Sequence, residues 1–201
     1  MANLHGQTIF ISASFPSGER GRQFEPYDAA GIADAVTALL RAVFVANGRV
    51  VSGGHPTITP LILLVAAEYG QHETVDIYQS RWFDGAIPEE TLRLEKGGYG
   101  RINWTEKGNS LNDSLTVLRQ EMVEATRPVL AAFIGGMEGL FEEWDIVGAL
   151  LPECVRVPFG GTGGASADLA RRGPVPDALG DLVVSRQYPV LAHHVVTLVA
   201  E

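Results

Sequence analysis

The six residues Val129-Leu130-Ala131-Ala132-Phe133-Ile134 carry no charge and run directly into Gly135-Gly136. A segment of this kind has no polar face to show to water, so it reads as a strand covered on both sides, as in a parallel sheet. Parallel strands need crossover connections, usually helices, so the remaining sequence should alternate between strand and helix patterns. Thr8 to Ser14 reads as a first buried strand, followed by Pro16 and Gly18. From about Tyr27 to Ala46, apolar residues recur at helical spacing (Ile32, Val36, Leu39, Leu40, Val43), and Gly48 stands where a C-terminal capping glycine belongs. Arg49-Val50-Val51-Ser52 reads as a second strand, Pro56 as the opening of a helix to about Tyr69, and Thr74 to Gln79 as a third strand. Leu111, Leu115, Leu118, Met122 and Val123 mark a helix to about Thr126; a further helix follows the glycine pair to about Leu151, and Val155-Arg156-Val157-Pro158 is a last strand. A short helix is expected near Ala167 to Arg171, and residues 177–201 are helical in composition.

The expected fold class is therefore α/β: a doubly wound, mostly parallel sheet with helices on both faces, Rossmann-like, with residues 1–201 forming one domain. Residues 80–109 break the pattern. Only Gly100-Arg101-Ile102-Asn103-Trp104 looks strand-like there, and the segment fits a lid, an insertion or an edge excursion.

Composition narrows the function. The 201 residues are 46% hydrophobic, enough for one substantial core. The formal net charge is −9 and the 15 basic residues form no run, which argues against nucleic acid as a partner. No apolar stretch approaches the ~20 residues that span a membrane, and residues 1–7 lack the basic start and apolar core of a signal peptide. A cytoplasmic chain is expected. The single cysteine, Cys154, has no partner for an intrachain disulfide and reads as a buried thiol. His193-His194 have no carboxylate or cysteine at metal-ligand spacing and read as structural; no metal site is expected. Trp82, Trp104 and Trp144 read as core or lid packing.

In a doubly wound sheet, ligands bind at the carboxyl ends of the strands. Four informative loops leave that edge: Ser12-Ala13-Ser14, Gly53-Gly54-His55, Gly135-Gly136-Met137-Glu138-Gly139, and Gly160-Gly161-Thr162 with Gly163 and Gly164. Glycine lets backbone N–H groups at a helix start approach phosphate or hydroxyl oxygens, although it also serves tight turns. The three glycine-rich turns together suggest one shared site. His55 is placed to donate to a phosphate or base, or to cap its own loop.

Leu118-Arg119-Gln120-Glu121-Met122, followed by Phe133-Ile134-Gly135-Gly136-Met137-Glu138-Gly139-Leu140-Phe141-Glu142-Glu143, resembles the signature of the LOG, or lysine-decarboxylase-like, proteins. These are nucleotide phosphoribohydrolases of the SLOG superfamily, which also holds DprA-like proteins. Phe10-Ile11-Ser12-Ala13-Ser14 and Val51-Ser52-Gly53-Gly54-His55-Pro56 look most like the defence-associated SLOG sensor domains. The resemblance spans most of residues 8–165 and implies a Rossmannoid domain that needs no further cofactor and binds a nucleotide-derived ligand. It also implies a homo-oligomer, or an effector (TIR, nuclease or membrane) on another chain or segment. If the chain is an enzyme, the resemblance makes Arg119 and Glu142 or Glu143 catalytic in cleaving an N-glycosyl bond; a carboxylate there stabilises the oxocarbenium-like sugar or activates water. The same acids suit the start of a helix without any chemistry.

Departures from the LOG pattern bear on the choice. Ile134 stands in place of its proline, Glu138-Gly139 replace its Gly-Thr step, and one residue is added before the glutamate pair. A carboxylate at Glu138 facing a phosphate would cost about 4 kcal/mol at ~4 Å with an effective dielectric of ~20. This favours a ribose-facing loop, and a binding domain over a phosphoribohydrolase; the resemblance to defence-associated SLOG sensors implies a signal of ADP-ribose or cyclic ADP-ribose type and a part in an antiviral defence system. An interaction domain without ligand is the third reading.

Overall fold

A computed structural model describes residues 2–200. Six strands form one sheet: β1 (Thr8–Ser14), β2 (Arg49–Gly53), β3 (Val75–Ser80), β4 (Gly100–Thr105), β5 (Leu130–Gly135) and β6 (Val155–Phe159). Their order is β4-β3-β2-β1-β5-β6, and every pairing is parallel. The chain is thus a doubly wound α/β fold of Rossmann type. It winds outward from β1 to β4 on one side and restarts at β5 on the other, so the topological switch point lies between β1 and β5.

Period-two alternation in the inner strands builds two cores, one on each face of the sheet. Ile9, Ile11, Leu130, Ala132 and Ile134 point into the layer formed by α2 (Ala29–Val45), α3 (Thr59–Glu68), α4 (Glu89–Lys96) and α8 (Tyr188–Val199). Phe10, Val51, Ala131 and Phe133 point into the opposite layer of α5 (Leu111–Thr126), α6 (Glu138–Leu150) and α7 (Gly164–Arg172). All six β5 residues are buried, as their lack of charge requires. Trp144 of α6 packs edge-on against Phe133, with ring centroids 5.0 Å apart. Cys154 is buried in the same layer, and burial pushes its thiol up to about 12. A short helix, α1 (Gly18–Gly21), follows β1.

Four sequence expectations shift. Residues 80–109 are an integral β-α-β arm: β4 pairs in register with β3 from Val75↔Gly100 to Ser80↔Thr105, and α4 makes the crossover. The pattern was faint because β4 is a half-exposed edge strand and α4 buries only Thr91 and Leu94. Helix α3 starts at Thr59 with Pro60 in its first turn, three residues after Pro56. At the end of α2 the left-handed residue is Asn47 (φ 57°), while the Gly48 N–H closes back onto the Val43 carbonyl at 2.9 Å. Gly48 is there for space, because a Cβ would lie 2.4 Å from Leu4 Cδ1. Trp82 is exposed and therefore no core residue, while His193 and His194 lie on the solvent side of α8. Among the described residues no helix is long and apolar enough to cross a membrane.

Candidate functional site

A cavity of about 450 Å³ opens at the carboxyl edge of the sheet, over the ends of β1, β2 and β3 and between α5 and α6. That volume lies in the range of small-molecule sites. Ser12, Ala13 and Ser14 of β1 form its floor with Gly53, Gly54 and His55. Arg119 and Leu118 come from α5, and Met137, Gly139 and Glu143 from the start of α6. Phe83, Ala86 and Pro88, from the loop after β3, close one end. The segment expected to be a lid thus contributes three lining residues, while the rest of it builds the sheet edge.

The polar corner is a chain of four side chains. Arg119 reaches across from α5 to α6, pairing through Nη1 with Glu142 and through Nε with Glu143 Oε1 at 3.3 Å. Ser12 Oγ donates to the other Glu143 oxygen, Oε2. Helical spacing explains why only one of the adjacent glutamates belongs to the cavity. Glu143 falls on the inner face of α6 and lines the wall; Glu142 lies about 100° around the helix, more than half exposed, and lines nothing there. Burial pushes the Glu143 carboxyl above the ordinary glutamate range, against the opposing pull of Arg119 and Ser12. Gly139 leaves the room Arg119 needs, since a Cβ there would sit 2.8 Å from Nη2.

The backbone N–H groups expected to hold a ligand are already engaged. Gly54 N–H donates to the Tyr78 carbonyl at 2.8 Å and His55 N–H to the Gly53 carbonyl at 2.7 Å. Gly135 N–H donates to Thr162 Oγ1 at 2.9 Å and Ser166 Oγ at 3.2 Å. Gly136 N–H donates to the Ser14 carbonyl at 2.8 Å. Gly135 and Gly136 carry positive φ (62° and 75°), the conformation that glycine adopts without strain, and neither lines the cavity.

The third glycine loop leaves the shared site altogether. Gly160, Gly161 and Thr162 line a separate cavity of about 370 Å³, beside Tyr27, Asp28 and Arg171. Their loop packs under the glycine pair: Ala165 N–H donates to the Gly136 carbonyl at 3.0 Å, and Thr162 Oγ1 holds Gly135. Three glycine-rich turns at one sheet edge therefore make one lined cavity and one brace.

A model of the SLOG cluster3 family matches residues 23–195. The chain belongs to this family. It is thereby a nucleotide-related Rossmannoid domain. No curated protein sequence matches it.

The SLOG domain places Glu138 away from the cavity wall. Its carboxylate pairs with Arg20 of α1 at 2.9 Å, with both groups solvent-exposed, and the Arg20 hydrogen bond holds it below the ordinary range. The acid expected to face ribose is therefore at the rim, and Glu143 occupies the wall instead. His55 is displaced downward in pKa by burial; its Nδ1 accepts from the Thr57 N–H at 3.3 Å, which leaves the ring hydrogen on Nε2. His55 thus caps its own loop through Nδ1, and its ring lines the cavity.

Sequence reasoning missed Arg20, Gln79, Phe83 and Leu115, all of which line the SLOG cavity. Gln79 carried a usable signal, a polar residue at the carboxyl end of a strand that the sheet buries. Arg20 and Phe83 sit in short helical turns with no periodicity to mark them.

Proposed function

We propose that this SLOG domain is a sensor. Its α5–α6 cavity takes a nucleotide-derived signal of the ADP-ribose or cyclic ADP-ribose type and passes occupancy to its own oligomer or to an effector on another chain or segment. The observation that carries this reading is Glu143: a partly buried carboxylate, braced by Ser12 and Arg119, and the one carboxylate among the described residues that line the cavity. A fixed carboxylate accepts hydrogen bonds from ribose hydroxyls, as acidic residues do in dinucleotide sites. Glycoside hydrolysis generally uses two acids flanking the scissile bond, and Glu142, the nearest second acid, faces away. In the deep corner the Glu143 carboxylate already pairs with the Arg119 guanidinium, so it suits a neutral sugar better than a phosphate. A phosphate group would sit at the rim by displacing Glu138 from Arg20, which with the uncapped first turn of α6 would then face it. The resemblance of the Ser12 and Gly54 loops to defence-associated SLOG sensors supports an effector of TIR, nuclease or membrane type and a place in antiviral defence.

Thermal unfolding with ADP-ribose, cyclic ADP-ribose and NAD tests the reading. A ligand at ~100-fold its Kd stabilises by about 2.7 kcal/mol, a rise of roughly 5–11 °C for a domain of this size. No shift with any of the three overturns it. The raised carboxyl of Glu143, suited to an acid, gives the hydrolase reading its one structural support. Release of free base from a nucleoside monophosphate would replace the sensor by a phosphoribohydrolase.

A further inference from the structure

The cavity is unequal at its two ends. It extends over β1, β2 and β3, about 10 Å at the usual strand spacing, the length of a nucleoside. Arg119 and Glu143 occupy one end, with Arg20 at the rim. The other end holds Gln79 from β3, together with Phe83, Ala86 and Pro88, and no charged group.

Gln79 is 4% exposed, and its Oε1 is buried without a hydrogen-bond partner. A buried amide oxygen with no partner calls for an explanation; of the five such side-chain oxygens among the described residues, that of Gln79 belongs to a residue lining the cavity. Its carboxamide lies directly over Gly54, where a Cβ would fall 1.8 Å from Oε1. Gly54 is not among the residues with positive φ, so its backbone does not require glycine. The missing side chain makes room for the Gln79 amide.

We propose that Gln79 is the specificity-determining residue of this cavity and that it reads an adenine base through the exocyclic amine. The proposal rests on the sensor reading above. A carboxamide offers one donor and one acceptor side by side, the pattern that pairs with adenine N6 and N7. The orphaned acceptor calls for a donor, and the amine supplies it. The uncharged walls of Phe83 and Pro88 suit the faces of a base and offer nothing to a second phosphate. Gly54 acts as a positioning residue, since it fixes where the amide lies.

The experiment is calorimetric titration of the full chain with ADP-ribose and with its analogue carrying unsubstituted purine in place of adenine. Wild type should lose about fivefold or more in affinity when the amine is removed. Gln79→Leu should bind the two ligands within about twofold of each other, and so should Gly54→Ala, whose methyl displaces the flexible amide while the strand stays intact. Equal binding of both ligands by wild type overturns the proposal, as does full discrimination in either variant. Should Gln79→Leu fail to fold, wild type and Gly54→Ala decide alone. Failure of wild type to bind ADP-ribose at all is a different result: it overturns this inference, and the sensor reading falls with it only if cyclic ADP-ribose and NAD fail to bind as well.

Discussion

A Cβ on Gly164 would fall 2.9 Å from main-chain atoms of Gly135 and Gly136, whereas a Cβ on Gly139 would fall 2.8 Å from the guanidinium of Arg119. The two glycines lie at the same edge of the sheet, yet what meets them differs in kind. In the first region (Gly135, Gly136, Gly163, Gly164) all four residues have positive φ; Gly163 and Gly164 pack on backbone, while Gly135 and Gly136 also abut the side chains of Ile32 and Leu140. In the second (Gly54, Gly139) neither residue has positive φ, and the absent side chain is replaced by the functional end of another, Gln79 or Arg119. Backbone cannot move aside, but the tip of a long side chain can. The first region should therefore be read out in stability and the second in binding.

The largest effect is expected at Gly164. Valine there meets main-chain atoms of the glycine pair and must adopt a left-handed φ of 64°. Backbone strain of this kind costs about 1–3 kcal/mol before any clash, so a loss of about 3 kcal/mol or more is expected. That corresponds to a fall of roughly 6–12 °C in Tm, measured by differential scanning calorimetry. A Tm within about 2 °C of wild type would show that the two loops do not brace one another.

Glu143→Gln comes next and probes the second region. It removes the charge that Ser12 and Arg119 hold, and affinity for ADP-ribose should fall about tenfold, equivalent to ~1.4 kcal/mol. Stability should hold or rise at neutral pH, because burial disfavours the ionised carboxyl. The pH dependence follows from the direction of that shift. A carboxyl raised in the folded state binds its proton more tightly there than in the unfolded chain. Its contribution is present below the ordinary glutamate range and is lost as pH rises through the raised value. Wild type should therefore lose stability relative to Glu143→Gln across that window, as read from paired urea titrations at several pH values. A difference of opposite sign would mean that the Arg119 pairing outweighs burial.

Thr162→Val returns to the brace with a gentler change. It keeps the shape but removes the acceptor for the Gly135 N–H, leaving Ser166 Oγ at 3.2 Å as that group's remaining partner. A loss of about 1 kcal/mol is expected, or ~2–4 °C in Tm, with ligand affinity unchanged because Thr162 lies outside the ligand cavity. An affinity loss without a Tm change would return the third glycine loop to the binding site.

These contrasts explain what could be read from the sequence. The fold was legible because uncharged β5 and the apolar periodicity of α2 and α5 report burial directly. The β4 arm was faint because an edge strand buries little. At the site, Ser12, His55 and Arg119 were findable, since strand ends and the border of a helix face can be located by counting. The role of each glycine was not. Gly135 and Gly139 look alike in sequence, and only the third dimension says whether backbone or a guanidinium lies 3 Å away. The choice between Glu142 and Glu143 was hidden for the same reason: one residue added to the loop rotates the helix by about 100° and changes which acid faces inward.

Gly139→Ala sets the two regions against each other most directly and should have the smallest effect. Two terms oppose. Alanine reduces the freedom of the unfolded chain and suits a helical turn better than glycine, which favours folding by about 0.4–1 kcal/mol where the native φ and ψ permit it, as they do here. Its methyl meets Arg119 Nη2, the end of a flexible side chain, which can shift by a few tenths of an ångström and loosen its 3.3 Å contact with Glu143. The expected result is a Tm equal to wild type or up to ~4 °C higher, together with roughly two- to fivefold weaker ADP-ribose binding as the carboxylate loses its brace. If the glycines at this edge were all there to let backbone meet backbone, Gly139→Ala would instead lower Tm in the manner of Gly164→Val and leave the affinity of the surviving folded protein untouched. The signs of two measurements on a one-methyl change therefore separate a glycine that makes room for chemistry from one that makes room for the chain.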